Sequence, residues 1–181
     1  MRPGEYEGLT WDDVDFDRAR VRVRRALVRL RKGEWRLEPT KTGRERVVAL
    51  SPLVVRVMKA YRARQSEMRL AAGTTWCDSD LVFTNEIGRP IQHRNLVSRH
   101  FKNVLQAAKI PSAIRLYDLR HTVATIMLSN GVDIRTVADV LGHAATSTTL
   151  DIYSHALDTN RDRAAETMSK VMCADVRLKS L

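Results

Sequence analysis

Cysteine, aromatic residues and long apolar runs are all scarce in this sequence of 181 residues. Its two cysteines, Cys77 and Cys173, lie far apart and form no CxxC pair, so neither a disulfide framework nor a cysteine metal knuckle is indicated. No apolar run reaches the roughly 18 residues that a membrane span needs. The first residues do not pair a charged segment with an apolar one, so no secretory signal is indicated. We therefore expect a cytoplasmic protein without a membrane partner.

Positive charge, in contrast, is abundant. The chain has 31 Lys and Arg against 21 Asp and Glu, a net charge of +10. Residues 18–46 hold 12 basic and 3 acidic residues, so this segment alone, at +9, carries nearly the whole surplus. Such a surplus is typical of proteins whose basic side chains bind the phosphates of nucleic acid. The alternative is a solvated basic surface that serves only solubility.

Residues 19–50 have the pattern of a small antiparallel sheet. From Arg20 to Arg24 arginine and valine alternate strictly, which predicts a strand with its valines facing a core and its arginines facing solvent. Two more strands are predicted over 34–37 and 46–50, and the residues between them, 39–43, are typical of a turn.

Helical patterns follow the sheet. Ser51 and Pro52 form an N-cap and a first-turn proline, and Gly73 marks the end of that helix. Asp133 and Gly142 bound a shorter helix in the same way. Further helices are predicted around 97–108, 119–129, 147–157 and 160–172, and one more short strand over 81–84. The predicted fold class is α+β, with a small antiparallel three-stranded sheet followed by a mostly helical bundle.

Three short motifs stand out together in the second half of the chain. They are Tyr117-Asp118-Leu119-Arg120-His121-Thr122, Leu141-Gly142-His143, and the segment 148–155, in which Tyr153 lies ten residues after His143. Upstream, Arg2-Pro3-Gly4-Glu5 has the form Arg-x-x-Glu, and Lys41-Thr42-Gly43 lies in the basic turn. In this order and spacing the motifs resemble those of the tyrosine recombinase, or phage integrase, family. The resemblance extends from Arg2 to about Met172.

The resemblance implies an enzyme that cleaves and rejoins DNA through a 3′-phosphotyrosyl intermediate, as in site-specific recombination or integration. In that chemistry Tyr153 is the nucleophile, and Arg2 and Arg120 bind the phosphate oxygens on which negative charge grows. Lys41 is the general acid for the leaving 5′ oxygen, and His143 donates a hydrogen bond to the phosphate.

Other residues receive supporting roles from the same resemblance. Glu5 is expected to hold Arg2, and Asp118 and His121 to support the start of their helix. Tyr117 occupies the place of the family's usual histidine and is expected to contact the site without acting as a base, because the ordinary pKa of tyrosine is about 10. The side chains expected to face DNA from the basic sheet and turn are those of Arg22, Arg24 and Arg44.

No cofactor or metal is implied, because the bond energy is kept in the phosphotyrosyl link. His93, His100 and His155 have no metal-ligand spacing and are interpreted as structural or DNA-facing. The implied partner is double-stranded DNA, bound by a homo-oligomer that is a tetramer on paired sites in the full-length form.

The family also implies an expectation about domains. Residues 1–172 match a catalytic domain without its first helices or the preceding core-binding domain, and 173–181 are expected to form a tail that docks on a neighbouring copy. Two alternatives stay open at this point. One is a non-catalytic DNA-binding module, favoured by Tyr117 and by the position of Arg2 beside the first residue. The other is an activity like that of type IB topoisomerases, which use the same chemistry.

Overall fold

A computed structural model describes residues 1–41, 43–143, 145–147, 149–150, 166, 168–170 and 172. It divides into two compact units, Met1–Asp118 and Leu119–Leu181. Within the described part of the chain, no helix is both long enough and apolar enough to cross a membrane.

The first unit combines short strands with helices. Its strands are β1 (Val14–Asp15), β2 (Arg20–Val23), β3 (Arg25–Arg29), β4 (Trp35–Pro39) and β5 (Arg46–Ala49). Its helices are α1 (Pro3–Glu7), α2 (Pro52–Ala72), α3 (His93–Asn95) and α4 (Lys102–Ala107), and a π-helical stretch (Leu96–Phe101) joins the last two.

The strands form two small antiparallel sheets. In one, β2 lies between β1 and β5, and in the other β3 pairs with β4. The α+β class is thus confirmed, as is the alternation of β2, because Val21 and Val23 are buried and Arg20 and Arg22 are exposed. The strand at Trp35, predicted in the same sheet as β2, pairs instead with β3. That strand was not predicted because Ala26, Leu27 and Val28 form a continuous apolar run without alternation.

Helix α1 lies directly against β3. A Cβ atom at Gly8 would come within 2.6 Å of the Leu27 backbone nitrogen, so only glycine allows this approach. Pro3 fits the first helical position, where no backbone N–H is needed, and the Glu5 side chain accepts a hydrogen bond from the Arg2 backbone N–H at 2.7 Å. The helix that carries the Arg-x-x-Glu motif is therefore fixed at both ends.

Two buried acidic residues hold the β-strands of this unit to the chain before them. Asp13 accepts hydrogen bonds from Nε of Arg24 at 2.5 Å and from NH2 of Arg25 at 3.3 Å. Glu7 accepts one from NH2 of Arg29 at 3.0 Å. Arg24, predicted to face DNA, is half-buried and bound to Asp13. It lies just after Val23, where the alternating pattern of β2 ends.

The core of the first unit surrounds Trp11. Leu9, Val21, Val23 and Val82 are buried with it, and Met58 and Tyr61 of α2 pack against them. The Ser51 cap, Pro52 and the end of α2 at Gly73 are as predicted, but Leu53, Val54 and Val57 in the first turns of α2 are exposed.

Gln65 of α2 is buried in this core with all its polar atoms bound. Its Nε2 donates to the Leu81 and Val82 carbonyls at 3.1 and 3.0 Å and to the Thr84 hydroxyl at 2.9 Å, and its Oε1 accepts from Trp11 Nε1 at 2.7 Å. Residues 81–84, predicted as a strand, form only single bridges, Thr10 with Leu81 and Thr84 with Pro90. Gln65 supplies the donor that a neighbouring strand would otherwise have supplied.

The second unit begins with two helices, α5 (Asp118–Ser129, whose first residue closes the first unit) and α6 (Ile134–Leu141). Their buried residues Ala124, Leu128, Val137 and Leu141 form one core cluster. Asp133 caps α6 as predicted, since its side chain accepts from the Thr136 backbone N–H at 2.9 Å, and Gly142 closes it in the left-handed conformation at φ 71°.

The buried face of α5 differs from the one that its apolar residues indicated. Leu119, Val123 and Ile126 are 46, 48 and 55% exposed, whereas Arg120, Ala124 and Leu128 are buried. Arg120 lies on the buried face because it binds a carbonyl at the end of α6. The predicted helices over 147–157 and 160–172 and the tail 173–181 lie largely or wholly outside the described residues.

We expect Gln65→Met, which keeps the length of the side chain, to lower the free energy of unfolding by about 3 kcal/mol. The substitution leaves two buried carbonyls and the indole N–H of Trp11 without hydrogen-bond partners. Each such group lowers the free energy of unfolding by about 1–3 kcal/mol before the surrounding structure relaxes. Urea unfolding measures the change, and Ser66→Ala on the exposed face of α2 is the control. Equal stabilities of the two variants would contradict this account of Gln65.

Candidate active site

The Arg-x-x-Glu motif forms a cluster of three charged residues, Arg2, Glu5 and Arg46, which we call the Glu5 cluster. Glu5 Oε1 accepts hydrogen bonds from NH1 of Arg2 at 3.2 Å and from NH1 of Arg46 at 3.1 Å. Its Oε2 accepts from the Arg2 backbone N–H at 2.7 Å and from NH2 of Arg46 at 2.6 Å. The side chains of Glu5 and Arg46 are 2 and 10% exposed and that of Arg2 is 31% exposed, so the arginine nearest to solvent is Arg2.

The carboxyl of Glu5 stays ionised in this environment. Burial alone would raise its pKa, but the hydrogen bonds and positive charges of Arg46 and Arg2 outweigh burial and hold the pKa below its ordinary value. The cluster therefore carries two positive charges and one negative charge. Two hydrogen bonds hold Arg2 to this buried carboxylate, one from its NH1 and one from its backbone N–H.

Lys41 lies in the turn that leads to Arg46. Thr40 is buried, its hydroxyl donates to the Arg44 carbonyl at 3.0 Å, and its own carbonyl accepts from the Gly43 N–H at 2.7 Å. These bonds fix the base of the turn while the Lys41 side chain is exposed. Because β5 begins at Arg46, the turn and the Glu5 cluster are joined through one short segment of chain.

In the second unit, Arg120 and His143 are both anchored at the C-terminal end of α6. Arg120 is 6% exposed, and its NH2 donates to the Leu141 carbonyl at 2.5 Å. The His143 N–H donates to the Ala138 carbonyl at 3.0 Å, in the turn that Gly142 makes possible. The last carbonyls of a helix carry partial negative charge, which suits a guanidinium. The structure thus brings these two predicted site residues to one helix end.

The ring of His143 is oriented by Thr149. The Thr149 hydroxyl lies 2.8 Å from Nδ1 of His143, and Thr149 is completely buried. This contact restricts rotation of the imidazole. Tyr153, the predicted nucleophile, and His155 lie outside the described residues.

The remaining predicted residues of the Tyr117 motif lie around the start of α5. Asp118 accepts from the Arg115 N–H at 2.9 Å and from its guanidinium at 2.8 Å, which fixes the turn before the helix. Tyr117 is 40% exposed and lines an open groove of about 420 Å³. Arg115, Lys102 and His93 also line this groove, among apolar side chains such as Phe101 and Ile114. His93 itself lies with Nδ1 2.6 Å from the Tyr6 hydroxyl.

Of the basic residues predicted to face DNA, Arg22 and Arg44 are exposed. Two residues that contact the predicted site were not predicted from the sequence. Arg46 binds Glu5, which in turn holds Arg2, and Thr149 contacts His143 directly. The sequence offers one signal for Arg46, which is a basic residue that follows Glu45 and begins the predicted strand over 46–50. Thr149 had no comparable signal. Among the residues that the structure describes, no group of three or more His, Cys, Asp or Glu could hold a metal ion.

The fold is shared with structures of DNA recombinases. The Tn1549 transposon integrase, solved in complex with a circular intermediate DNA, superimposes with a TM-score of 0.71 at 20% identity, over 90% of this chain and 54% of that one. The crystal structure of XerA recombinase gives 0.63 at 25% identity, over 90% of this chain and 53% of that one.

Sequence comparison agrees with the fold. The family model described as "Phage integrase family" matches residues 1–160, and the chain belongs to this family. A "Tyrosine recombinase XerC-like" protein of Caldanaerobacter subterraneus subsp. tengcongensis is 32% identical over 93% of this chain and 46% of its own length. The tyrosine recombinase XerD of Halalkalibacterium halodurans is 30% identical over 88% and 46%. The chain thus spans about half the length of these relatives, and the family predicted from the motifs is confirmed.

The lowered pKa of Glu5 predicts a dependence of stability on pH. A carboxyl whose pKa is lower in the folded than in the unfolded state stabilises the fold above its ordinary pKa of 4.5, and the stabilisation is lost as the pH falls through the folded value. We expect Glu5→Gln to lower the free energy of unfolding by about 3 kcal/mol at neutral pH, and the difference from wild type to narrow below pH 4.5.

Urea unfolding at a series of pH values measures this difference. Glu38→Gln is the matched control, because Glu38 pairs with Arg36 at the surface. A difference between wild type and Glu5→Gln that is the same at every pH would contradict the assignment of an ionised, arginine-bound Glu5.

Proposed function

We propose that this chain is the catalytic part of a site-specific recombinase that cleaves and rejoins double-stranded DNA. The observation that supports this most is the anchoring of a buried arginine, Arg120, and a histidine, His143, at one helix end, in a chain that belongs to the phage integrase family. Buried arginines need partners, and a fixed guanidinium presents a preorganised fork to phosphate oxygens.

The proposed reaction transfers a phosphoryl group without loss of bond energy. The hydroxyl oxygen of Tyr153 attacks the phosphorus, its proton passes to a base or to water, and the bond from phosphorus to the 5′ oxygen breaks. Lys41 gives its proton to the leaving 5′ oxygen, and the DNA is held as a 3′-phosphotyrosyl ester. Attack by a 5′ hydroxyl of the same or another strand reverses each step and rejoins the DNA.

The other charged residues stabilise the transition state. Arg2 and Arg120 bind the non-bridging oxygens, which gain negative charge, and His143 donates a further hydrogen bond. Glu5 positions Arg2, and Asp118 and His121 support the start of α5. Tyr117 contacts the site and accepts no proton. Arg22, Arg24 and Arg44 contribute positive charge toward DNA, with Arg24 also bound to Asp13.

We extend the proposal to assembly. The family works on paired DNA sites. From family membership we infer that the full-length form is a tetramer in which residues 173–181 of each copy dock on a neighbour.

A nicked suicide substrate tests the reaction, because the cleaved end diffuses away and traps the covalent complex. The DNA is a pool of nicked duplexes with a randomised core, from which bound sequences are selected first. We expect a complex of protein and DNA that withstands denaturing electrophoresis, and none with Tyr153→Phe. Tyr61→Phe is the control, since Tyr61 packs in the core of the first unit.

Three outcomes are distinguishable. Trapping by Tyr153→Phe at the wild-type level would contradict the assignment of the nucleophile. DNA binding that weakens with salt but never yields a complex would favour a non-catalytic binding module. Relaxation of supercoiled DNA without recombinant products would favour the topoisomerase-like alternative.

The exposed arginines of the first unit give a separate prediction about binding. We expect Arg22→Gln and Arg44→Gln each to weaken DNA binding by a similar factor on different sequences, and each to reduce the slope of log affinity against log salt by about 1, as for a lost phosphate contact. Fluorescence anisotropy of labelled duplexes measures both. Arg69→Gln, which removes a surface arginine paired with Asp78, is the control, and an unchanged slope in all three variants would contradict a phosphate-binding role.

A further inference from the structure

A buried carboxylate beside a phosphate-binding arginine poses an electrostatic problem. If Glu5 paired only with Arg2, the pair would be neutral, and Arg2 would lose much of its attraction for the phosphate. Glu5 is 2% exposed, so water does not screen its charge effectively. A positioning carboxylate of this kind needs a second cation if the arginine that it holds is to remain effective.

Arg46 has the geometry of that second cation. Its NH1 and NH2 donate to the two different oxygens of Glu5, at 3.1 and 2.6 Å, which is the bidentate pairing of a guanidinium with a carboxylate. Arg2 binds the same two oxygens with its NH1 and its backbone N–H. Burial distinguishes the two arginines, because the side chain of Arg46 is 10% exposed and that of Arg2 is 31% exposed.

Arg46 also connects two parts of the predicted site along the chain. It is the first residue of β5, where it pairs with Val23 of β2, and it follows the turn that carries Lys41. The bond from the Thr40 hydroxyl to the Arg44 carbonyl fixes the base of that turn two residues before Arg46. A displacement of Arg46 would therefore be felt both at Arg2, through Glu5, and at Lys41, through the turn.

We propose that Arg46 is a positioning residue for DNA cleavage, which neutralises Glu5 so that Arg2 keeps its positive charge for the phosphate, and which aligns the Lys41 turn with Arg2. The proposal rests on the proposed function of the chain. Lysine cannot replace arginine fully in this role, because its single ammonium cannot bind both oxygens of Glu5 in one plane.

The test compares rates of covalent complex formation at saturating DNA, using the suicide substrate selected on the wild-type chain. We expect Arg46→Gln to lower the rate by about 100-fold, as for a reacting group displaced by about 1 Å, while the affinity for DNA changes less than about 3-fold. Arg46→Lys is expected to recover about tenfold of that loss, since it restores the charge but not the fork. Arg69→Gln is the control that removes one arginine elsewhere in the first unit.

A double-mutant cycle with Glu5→Gln separates this role from others. The Glu5→Gln variant has no carboxylate to neutralise, so in that background Arg46→Gln is expected to cost less than about 3-fold in rate, whereas a direct contact of Arg46 with DNA would keep its full cost. Circular dichroism at the assay temperature gives the folded fraction of each variant, and the rates are expressed per folded molecule, which removes losses due to unfolding.

The outcomes distinguish the inference from the function on which it rests. Absence of a covalent complex with the wild-type chain would overturn the proposed function and this inference with it. A wild-type complex together with Arg46→Gln as fast as Arg69→Gln would overturn the inference alone. So would an equal cost of Arg46→Gln in the wild-type and Glu5→Gln backgrounds, or a rate loss fully accounted for by the folded fraction.

Discussion

The buried carboxylate of Glu5 organises the first unit around one charge. Glu5 lies in α1, and two other parts of the chain bind its carboxylate. Arg2, just before α1, donates from its backbone N–H and its guanidinium, and Arg46, the first residue of β5, donates from its guanidinium. Burial of an acid is unfavourable unless its charge is matched and its oxygens are bound. Two arginines meet this need, and Arg2 is the more exposed of the two. The same carboxylate thus stabilises the fold and positions Arg2.

In the second unit, the C-terminal end of α6 positions two predicted site residues. The end of α6 leaves carbonyls without partners inside the helix, and these bind the guanidinium of Arg120 and the backbone N–H of His143. Gly142 makes the turn possible, because the turn needs a left-handed residue and glycine has no Cβ to oppose that conformation. The core of Ala124, Leu128, Val137 and Leu141 holds α5 against α6, so the packing of small and branched side chains determines where Arg120 lies.

The features that the sequence predicted well are local. Alternation in β2, the Ser51 and Asp133 caps and the stops at Gly73 and Gly142 each depend on neighbouring residues, and the structure confirms them. The features that were not predicted concern partners distant in the chain. The β3–β4 sheet, the pairing of Arg46 with Glu5 and the binding of Asp13 by Arg24 require knowledge of which segments meet. The exposed face of α5 belongs with these, since a buried arginine occupies the place where hydrophobicity alone would put Leu119 or Val123.

In the proposed reaction, this chain breaks DNA by forming an ester between Tyr153 and a 3′ phosphate. Mass spectrometry of the trapped complex, after nuclease trimming and proteolysis, tests it most directly. We expect a single peptide containing Tyr153 that carries a nucleotide through its 3′ phosphate. A nucleotide attached to another residue, or attached through its 5′ phosphate, would contradict it.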